Sequence, residues 1–247
     1  MPTDATGRVT LAVPAADREN LRARVLAAAA ELGYVSNPNA QAMARGRSNM
    51  LGLIIHDIAD PYFSTVAAGV IREAHPANLL VSLASTQRDP VQELAHVAAF
   101  RRHRAAGVII VGSRTSERGI ADRLALELAA FEAEGGRAVA ASQPRLPIDT
   151  VAIDNVGGSR SLATTLADLG YREFVVLGGP PNLLTATDRT TGFREGLAER
   201  GLRLRAQDVI AGDFTRNGGY TAMARLLETG RRQTASSQST TSWRSAR

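Results

Sequence analysis

From residue 50 onward, short apolar runs alternate with amphipathic stretches. LGLIIH, NLLVSLAS, GVIIVG, AVAAS and TVAIDN are nearly uninterrupted apolar segments of strand length, and they predict strands that are buried on both faces. Between them the spacing predicts helices from about Pro61, from about Pro90 to Arg104 and from about Glu117 to Glu134. Strands of this kind separated by helices imply parallel pairing through right-handed crossovers, an α/β doubly wound sheet. A second series begins at Gly157 with a helix to about Leu169, the strand EFVVLGG, a helix from about Thr190 to Arg200, the strand DVIAG and a helix from Arg216 to Glu228. A subdomain boundary is therefore expected near residue 155.

The two ends carry different patterns. Residues 1–18 are polar and contain Pro2 and Pro14, so they are expected to be disordered. ENLRARVLAAAAELG predicts a helix over 19–33, with Leu21, Val25, Leu26 and Leu32 on one stripe, Glu19 in the first turn and Gly33 as the stop. In YVSNPNAQAMARGRSN, Asn37 is placed to cap a short helix with Pro38 at its first position, and Gly46 and Ser48 mark a linker. Residues 231–247 are rich in Ser, Thr and Arg, carry a lone Trp243 and show no periodicity, so disorder is expected there too. The second sheet would then hold two strands, too few for independent stability. Its unpaired edges predict a poorly stable chain.

Composition narrows the picture. No apolar run approaches the roughly eighteen residues of a membrane span, and MPTDATGRVTL lacks the basic-then-apolar pattern of a secretory signal, so a cytoplasmic protein is expected. There is no Cys, which excludes disulfides, thiolate metal sites and Cys nucleophiles. All 29 basic residues are Arg, and the net charge of +5 is compatible with an anionic partner such as nucleic acid.

In doubly wound sheets ligands bind beyond the carboxyl ends of the strands. The first such loop, HDIADPYF, sets the polar groups of His56, Asp57 and Asp60 beside the flat apolar faces of Tyr62 and Phe63, a combination suited to sugars and nucleosides. The same residues also read as a helix start, with Asp60 as cap and Tyr62 and Phe63 as a first core turn. In TATDRTTGFREGL, Arg189 lies just ahead of the predicted helix and beyond the strand ending in Gly178 and Gly179. It is placed either to reach a ligand or to make a surface ion pair. Asp213 and Phe214 follow a further strand. Gly178 and Gly179 lack the spacing and the Lys of a phosphate loop, and no GxGxxG follows the first strand. The four His residues lack metal spacing, and Ser64 and Ser142 lack nucleophile-elbow glycines. Neither an enzyme nor a cofactor or metal is expected.

These motifs resemble a known family. LRARVLAAAAELGYVSNPNAQAMARGRSNMLGLIIHDIADPYF is similar to the junction between DNA-binding headpiece and sensor core in LacI/GalR regulators. VAIDNVGGSRSLATTLADLGYREFVVLGGP is similar to that family's crossover between subdomains, and DRTTGFREGL to its R-x-x-G-F element. The resemblance runs over about residues 19–231 and implies an α/β, periplasmic-binding-protein-like fold. Two doubly wound parallel-sheet subdomains, the second incomplete, would follow a helical remnant of the headpiece. The implied plan is a disordered 1–18, headpiece remnant and hinge helix at 19–49, an effector-binding N-subdomain at 50–155, a partial C-subdomain at 156–230 and a disordered tail at 231–247.

By the same resemblance the chain is a DNA-binding repressor whose core binds a sugar or similar effector through His56, Asp60, Tyr62, Phe63, Ser142, Arg189 and Phe214. Asn37, Ala40, Met43, Arg45 and Arg47 would form the DNA-binding hinge, with Met43 in place of the leucine that wedges into the minor groove. The implied partners are operator DNA, the effector and a second copy in a homodimer. A stand-alone sugar-binding protein of the same fold is the alternative. Three departures bear on this. No recognition helix precedes residue 19, so operator contact is expected to be weakened or lost. Similarity also stops near Arg232, as a frameshift would produce. Finally, the family's acidic-Arg pair after the fourth strand is replaced by Ser142, Gln143, Pro144 and Arg145.

Overall fold

The computed structural model describes residues 15–33, 46–228 and 235–238. The chain divides into two compact units, Met1–Arg45 and Gly46–Arg247. In the first, helix α1 spans Ala15–Glu31. It starts four residues earlier than the periodicity suggests, because Ala15, Ala16, Asp17 and Arg18 are compatible with a helical first turn once Pro14 is passed, and Asp17 favours the positive end of the dipole. The expectation of a disordered 1–18 is thus corrected for its last four residues. Gly33, at φ 59°, ends the helix as expected, its N–H donating to the Ala30 carbonyl. The stripe of Leu21, Val25, Leu26 and Leu32 is exposed. Asn37, Ala40, Met43 and Arg45 lie outside the described residues.

The second unit opens with a five-stranded parallel sheet in the order β2-β1-β3-β4-β5. Its strands are β1 Met50–Ile55, β2 Leu80–Ser85, β3 Gly107–Val111, β4 Arg137–Ser142 and β5 Asp149–Ala152, joined by helices α2 Pro61–Ala74, α3 Pro90–Arg102 and α4 Arg118–Ala133. Alternate side chains of β1 and β3 enter two different cores. Ile54, Val108 and Ile110 pack with Val97, Phe100, Leu124, Leu128 and Phe131 beneath α3 and α4, whereas Leu53, Ile55 and Val111 pack with Phe63 and Ala67 of α2. Burial on both faces is why these strands read as continuous apolar runs. Each large side chain so buried contributes about 1.5–3 kcal/mol. Pro61 and Pro90 occupy first helical positions behind Asp60 and Asp89, whose carboxylates accept from the N–H of Tyr62 and Val91.

Helix α5 Asn155–Asp168 leads into the second sheet, where β6 Phe174–Leu177 is flanked by β7 Val209–Ile210 and β8 Ala235–Gln238, with α6 Leu184–Ala198 and α7 Arg216–Glu228 around it. Phe174 and Val176 face Ala163, Phe193, Leu197 and Leu204, while Val175 and Leu177 face Ala222 and Leu226. Strand β8 corrects two expectations, that of a two-stranded second sheet and that of disorder throughout 231–247. It pairs parallel with β6 from Phe174↔Ala235 to Leu177↔Gln238. The free edge of β6 presents backbone donors and acceptors that need partners, and small residues fit beside it as well as apolar ones do.

Helix α6 also departs from expectation, beginning at Leu184 rather than near Thr190. Its N-cap, Leu183, offers no side-chain cap. Instead the N–H of Leu184 donates to the Arg114 carbonyl (2.9 Å) and that of Thr185 to Ser113 Oγ (3.0 Å), both from the first subdomain. Capping from a distant loop leaves no local signature. Helices α5 and α6 then cross closely at two glycines. A Cβ on Gly192 would sit 2.1 Å from the Val156 carbonyl oxygen, and one on Gly196 would sit 2.4 Å from that of Arg160. We expect Gly192→Ala to push the two helices apart and lower stability by about 1–3 kcal/mol in urea unfolding. Wild-type stability in this variant would show that the crossing is looser than described.

Candidate ligand-binding site

Several strand and helix ends converge between the two subdomains. His56 directly follows β1, α2 starts behind Asp60, β4 ends at Ser142, α5 starts at Asn155, and Phe214 precedes α7. All seven residues expected to bind effector line one cavity, formed by His56, Asp60, Tyr62, Phe63, Ser142, Arg189 and Phe214 together with residues that the sequence reading missed. Asp57 and Asp213 are not among its walls. Asp57 Oδ1 accepts from the N–H of Ala59 in a local turn (2.9 Å).

The expected residues play unequal parts. Asp60 caps α2, accepting from Tyr62 N–H at 2.9 Å, and also lines the cavity. Phe63 is 6% exposed and belongs mostly to the core, where its ring meets those of His56 and Tyr62 edge to face at 5.4 and 5.0 Å. Ser142 is buried and its hydroxyl donates to the Gln143 carbonyl (2.9 Å). Arg189 sits within α6, not ahead of it, and its Nε donates to Asn155 Oδ1 at 2.8 Å. That bond fixes a cationic fork across the cavity from Tyr62. Burial lowers the guanidinium of Arg189 below its ordinary pKa and raises the Tyr62 phenol above its own. At neutral pH they remain a cation and a neutral hydroxyl.

The residues missed in sequence have identifiable signals. Asn155 opens α5 and reaches its role only through Arg189 in a distant helix. Arg88 stands in the β2–α3 loop at φ 64°, after Gln87 at φ 50°. Two consecutive side-chain-bearing residues with positive φ store strain of order 1 kcal/mol or more each, a pattern that clusters at functional sites. The strained turn is held by Arg88 N–H donating to Thr86 Oγ1 (3.2 Å) and Gln87 N–H to the His56 carbonyl (2.8 Å). It aims Arg88 across the cleft, where Nη2 donates to the Phe214 carbonyl at 2.7 Å and lies 3.9 Å from Asp60. The cavity thus joins two guanidiniums, one carboxylate, an amide and aromatic faces.

Below it runs a polar seam. Gln143 Nε2 donates to Thr185 Oγ1 (2.8 Å) and Asp188 Oδ2 (3.1 Å), while its Oε1 accepts from Arg114 N–H (2.9 Å). Arg114 is itself buried and bound through both Nη atoms to Glu93 at 2.7 Å. Among the described residues no cluster of three or more His, Asp or Glu could hold a metal ion. Nor is any described helix long and apolar enough to cross a membrane.

Residues 48–235 match the family model described as periplasmic binding proteins and sugar binding domain of LacI family. The chain belongs to this family. It is 26% identical over 223 residues to the HTH-type transcriptional regulator DegA of Bacillus subtilis, covering 90% of this chain and 63% of that protein. It is 27% identical over 208 residues to the HTH-type transcriptional repressor CytR of Escherichia coli, covering 84% and 59%. The chain therefore spans about three-fifths of the length of these curated relatives. Its fold is similar to that of the lac repressor dimer bound to operator and the anti-inducer ONPF, with a TM-score of 0.70 and 23% identity over 88% of this chain and 64% of that one. Within this LacI-family frame, Arg47 opens the second unit with Nη1 donating to the Gly135 carbonyl (2.6 Å), an exposed contact at the opposite end of the strands from the cavity.

His56 gives the site a pH dependence. Burial takes its imidazole down from 6.5 to about 4, aided by the charges of Arg114 and Arg88 and opposed by Glu93 and the Ser113 backbone. Below pH 6.5 the unfolded chain binds a proton that the folded chain refuses, so stability falls as pH drops toward 4, by up to about 3 kcal/mol. We expect His56→Asn to unfold with a visibly shallower loss between pH 7 and pH 4.5. Identical pH profiles for variant and wild type would refute the assignment.

Proposed function

We propose that the chain is the effector-binding part of a LacI-type DNA-binding transcriptional repressor, whose inter-subdomain cavity binds a sugar. The observation that carries this reading is the convergence of Arg189, fixed by Asn155, with His56, Asp60, Tyr62 and Phe214 in one cavity built from both subdomains. Aromatic faces serve the apolar ring of a sugar, while the guanidiniums and the carboxylate serve its hydroxyls. Nothing in the cavity pairs a nucleophile with a base, so the role is binding rather than turnover. A ligand touching both subdomains favours their closed arrangement and biases whatever the closed state transmits.

In such a regulator, the segment carrying Asn37, Ala40, Met43, Arg45 and Arg47 would face operator DNA, two copies would act as a homodimer, and the setting would be the cytoplasm. The family's description as a sugar-binding domain and the regulatory names of its relatives support this assignment. The test is titration calorimetry of the full chain against pentoses, hexoses and their glycosides. At least one sugar should bind, and Arg189→Ala should weaken it about 10- to 100-fold, the loss expected for a charged hydrogen-bond donor. Unchanged affinity in that variant, or no binding by the wild type, would overturn the proposal.

A further inference from the structure

At the opposite end of the first sheet from the cavity, the strand starts carry a cluster of arginines. The N–H and Oγ of Ser48 both donate to the Arg104 carbonyl (2.9 and 3.1 Å), Ala106 N–H donates to that of Met50 (2.8 Å), and Arg137 N–H to that of Ala106 (3.2 Å). These bonds set Arg47, Arg104 and Arg137 beside the starts of β1, β3 and β4, adjacent strands about 4.8 Å apart. Arg102 ends α3 next to them, and all four residues are exposed. The carboxylates of this end are committed elsewhere. Glu127 and Glu134 take Arg101 (2.7 and 2.6 Å), and Glu132 Oε1 accepts from the Ala138 N–H (3.3 Å). Among the described residues none forms an ion pair with Arg47, Arg102, Arg104 or Arg137, and Asp149, at the start of edge strand β5, is no exception.

The helix dipole accounts for part of this cluster, since Arg101 and Arg102 close α3 at its negative end. It does not account for Arg104. After α4, α5 and α6 the chain leaves the helix on a left-handed glycine: Gly135 (φ 93°), Gly170 (93°) and Gly201 (69°). The next N–H then donates five residues back, from Gly136 to Phe131, Tyr171 to Leu166 and Leu202 to Leu197. Helix α3 makes the same turn, Ala105 to Phe100 (3.0 Å), with Arg104 in the glycine's place at φ 50°. A side chain there strains the backbone where glycine would not. Its exposed guanidinium bonds to no described residue, so the strained arginine gives the fold nothing that glycine would withhold.

We propose that this face is a contact surface for the phosphate backbone of duplex DNA. The inference rests on the reading of the chain as part of a DNA-binding regulator. Gly46 and Arg47, by which the chain enters this unit, line one groove with Arg101 and Arg104, so a duplex held by residues before Gly46 is tethered to this end of the sheet. Guanidinium forks match phosphate oxygens, and contacts to phosphate fix position without reading bases. The face therefore adds affinity and register but no sequence preference.

The test is fluorescence anisotropy of the full chain with a labelled duplex of about 25 base pairs and arbitrary sequence, at KCl from about 20 to 200 mM. Each phosphate contact contributes about 0.9 to the slope of log affinity against log salt. The triple variant Arg102→Gln, Arg104→Gly, Arg137→Gln should lower that slope by about 2–3 and the affinity at the lowest salt by at least about tenfold. Arg47 stays, because its Nη1 serves the Gly135 carbonyl. Sugar affinity should be unchanged in this variant, since none of its three positions lines the cavity. A control triple, Arg123→Gln, Arg194→Gln, Arg203→Gln, removes the same charge from exposed positions elsewhere and should move the slope by less than about 1. Arg104→Gly alone should bind the duplex more weakly while melting no lower than the wild type. Equal losses in both triples, an unchanged slope in the first, a lower melting temperature in Arg104→Gly, or binding of polyglutamate as tight as that of the duplex would overturn the face and leave the regulator reading standing. No duplex binding by the wild type at the lowest salt would remove the DNA half of that reading, and this inference with it.

Discussion

The buried ion pair between Glu93 and Arg114 is the constraint on which the cavity depends. Glu93 lies in the first turn of α3, where the helix dipole favours a carboxylate, and Arg114 follows β3. Desolvating both charges offsets much of their attraction, so the pair is a weak source of net stability. Removing either partner alone, however, is costly, about 3–5 kcal/mol for an uncompensated buried charge. Its effect is geometric. It holds the loop after β3 in one place, and that loop supplies the carbonyl and hydroxyl that cap α6, the N–H that orients Gln143, and Ser113 on the cavity wall. Arg189, one turn into α6, is therefore positioned from the other subdomain.

That dependence explains which features were legible in the sequence. The five strands of the first sheet were legible as apolar runs, a property local to each run, but the expected burial on both faces holds for the central β1 and β3 and not for the edge strands β2 and β5, where Leu80, Leu83 and Val151 are exposed because no neighbouring strand or helix covers them on every side. The starts of α2 and α3 were equally plain, since Asp60-Pro61 and Asp89-Pro90 carry cap and first-turn residue side by side. The start of α6 was not, because its cap comes from Ser113 and Arg114, some seventy residues away. The inward-facing residues of the first β–α loop were visible as a mixture of polar and aromatic types. Arg88 was not, because its role depends on a backbone conformation that nothing in TQRD announces. Asn155 and Gln143 were hidden for a related reason, since an amide acquires meaning only from what it bridges. Strand β8 was obscured by its composition, because edge pairing satisfies backbone groups whatever the side chains.

The chemistry of the site follows from the same economy. Gln143 stands where the resemblance led one to expect an acidic residue and an arginine, and its amide does the work of both toward different partners. Its oxygen takes the Arg114 N–H, and its nitrogen serves Thr185 and the acceptor-only carboxylate of Asp188. That assignment of the amide is the only one in which donors meet acceptors. With the seam made from neutral and internally paired groups, the free polar chemistry is directed into the cavity. LacI-family membership and this arrangement both support the proposed reading of the cavity as a sugar site.

The most direct measurement of that central claim is the affinity of Gln143→Ala for whichever sugar the wild type binds, taken by calorimetry alongside circular dichroism. Gln143 does not line the cavity, and its side chain bridges the loop after β3 to Thr185 and Asp188 of α6. The account predicts native secondary structure and a loss of affinity of about tenfold or more, since roughly 1–3 kcal/mol of bridging hydrogen bonds no longer favours the closed arrangement. Unaltered affinity in a folded variant would contradict it, showing that the ligand is held without the seam.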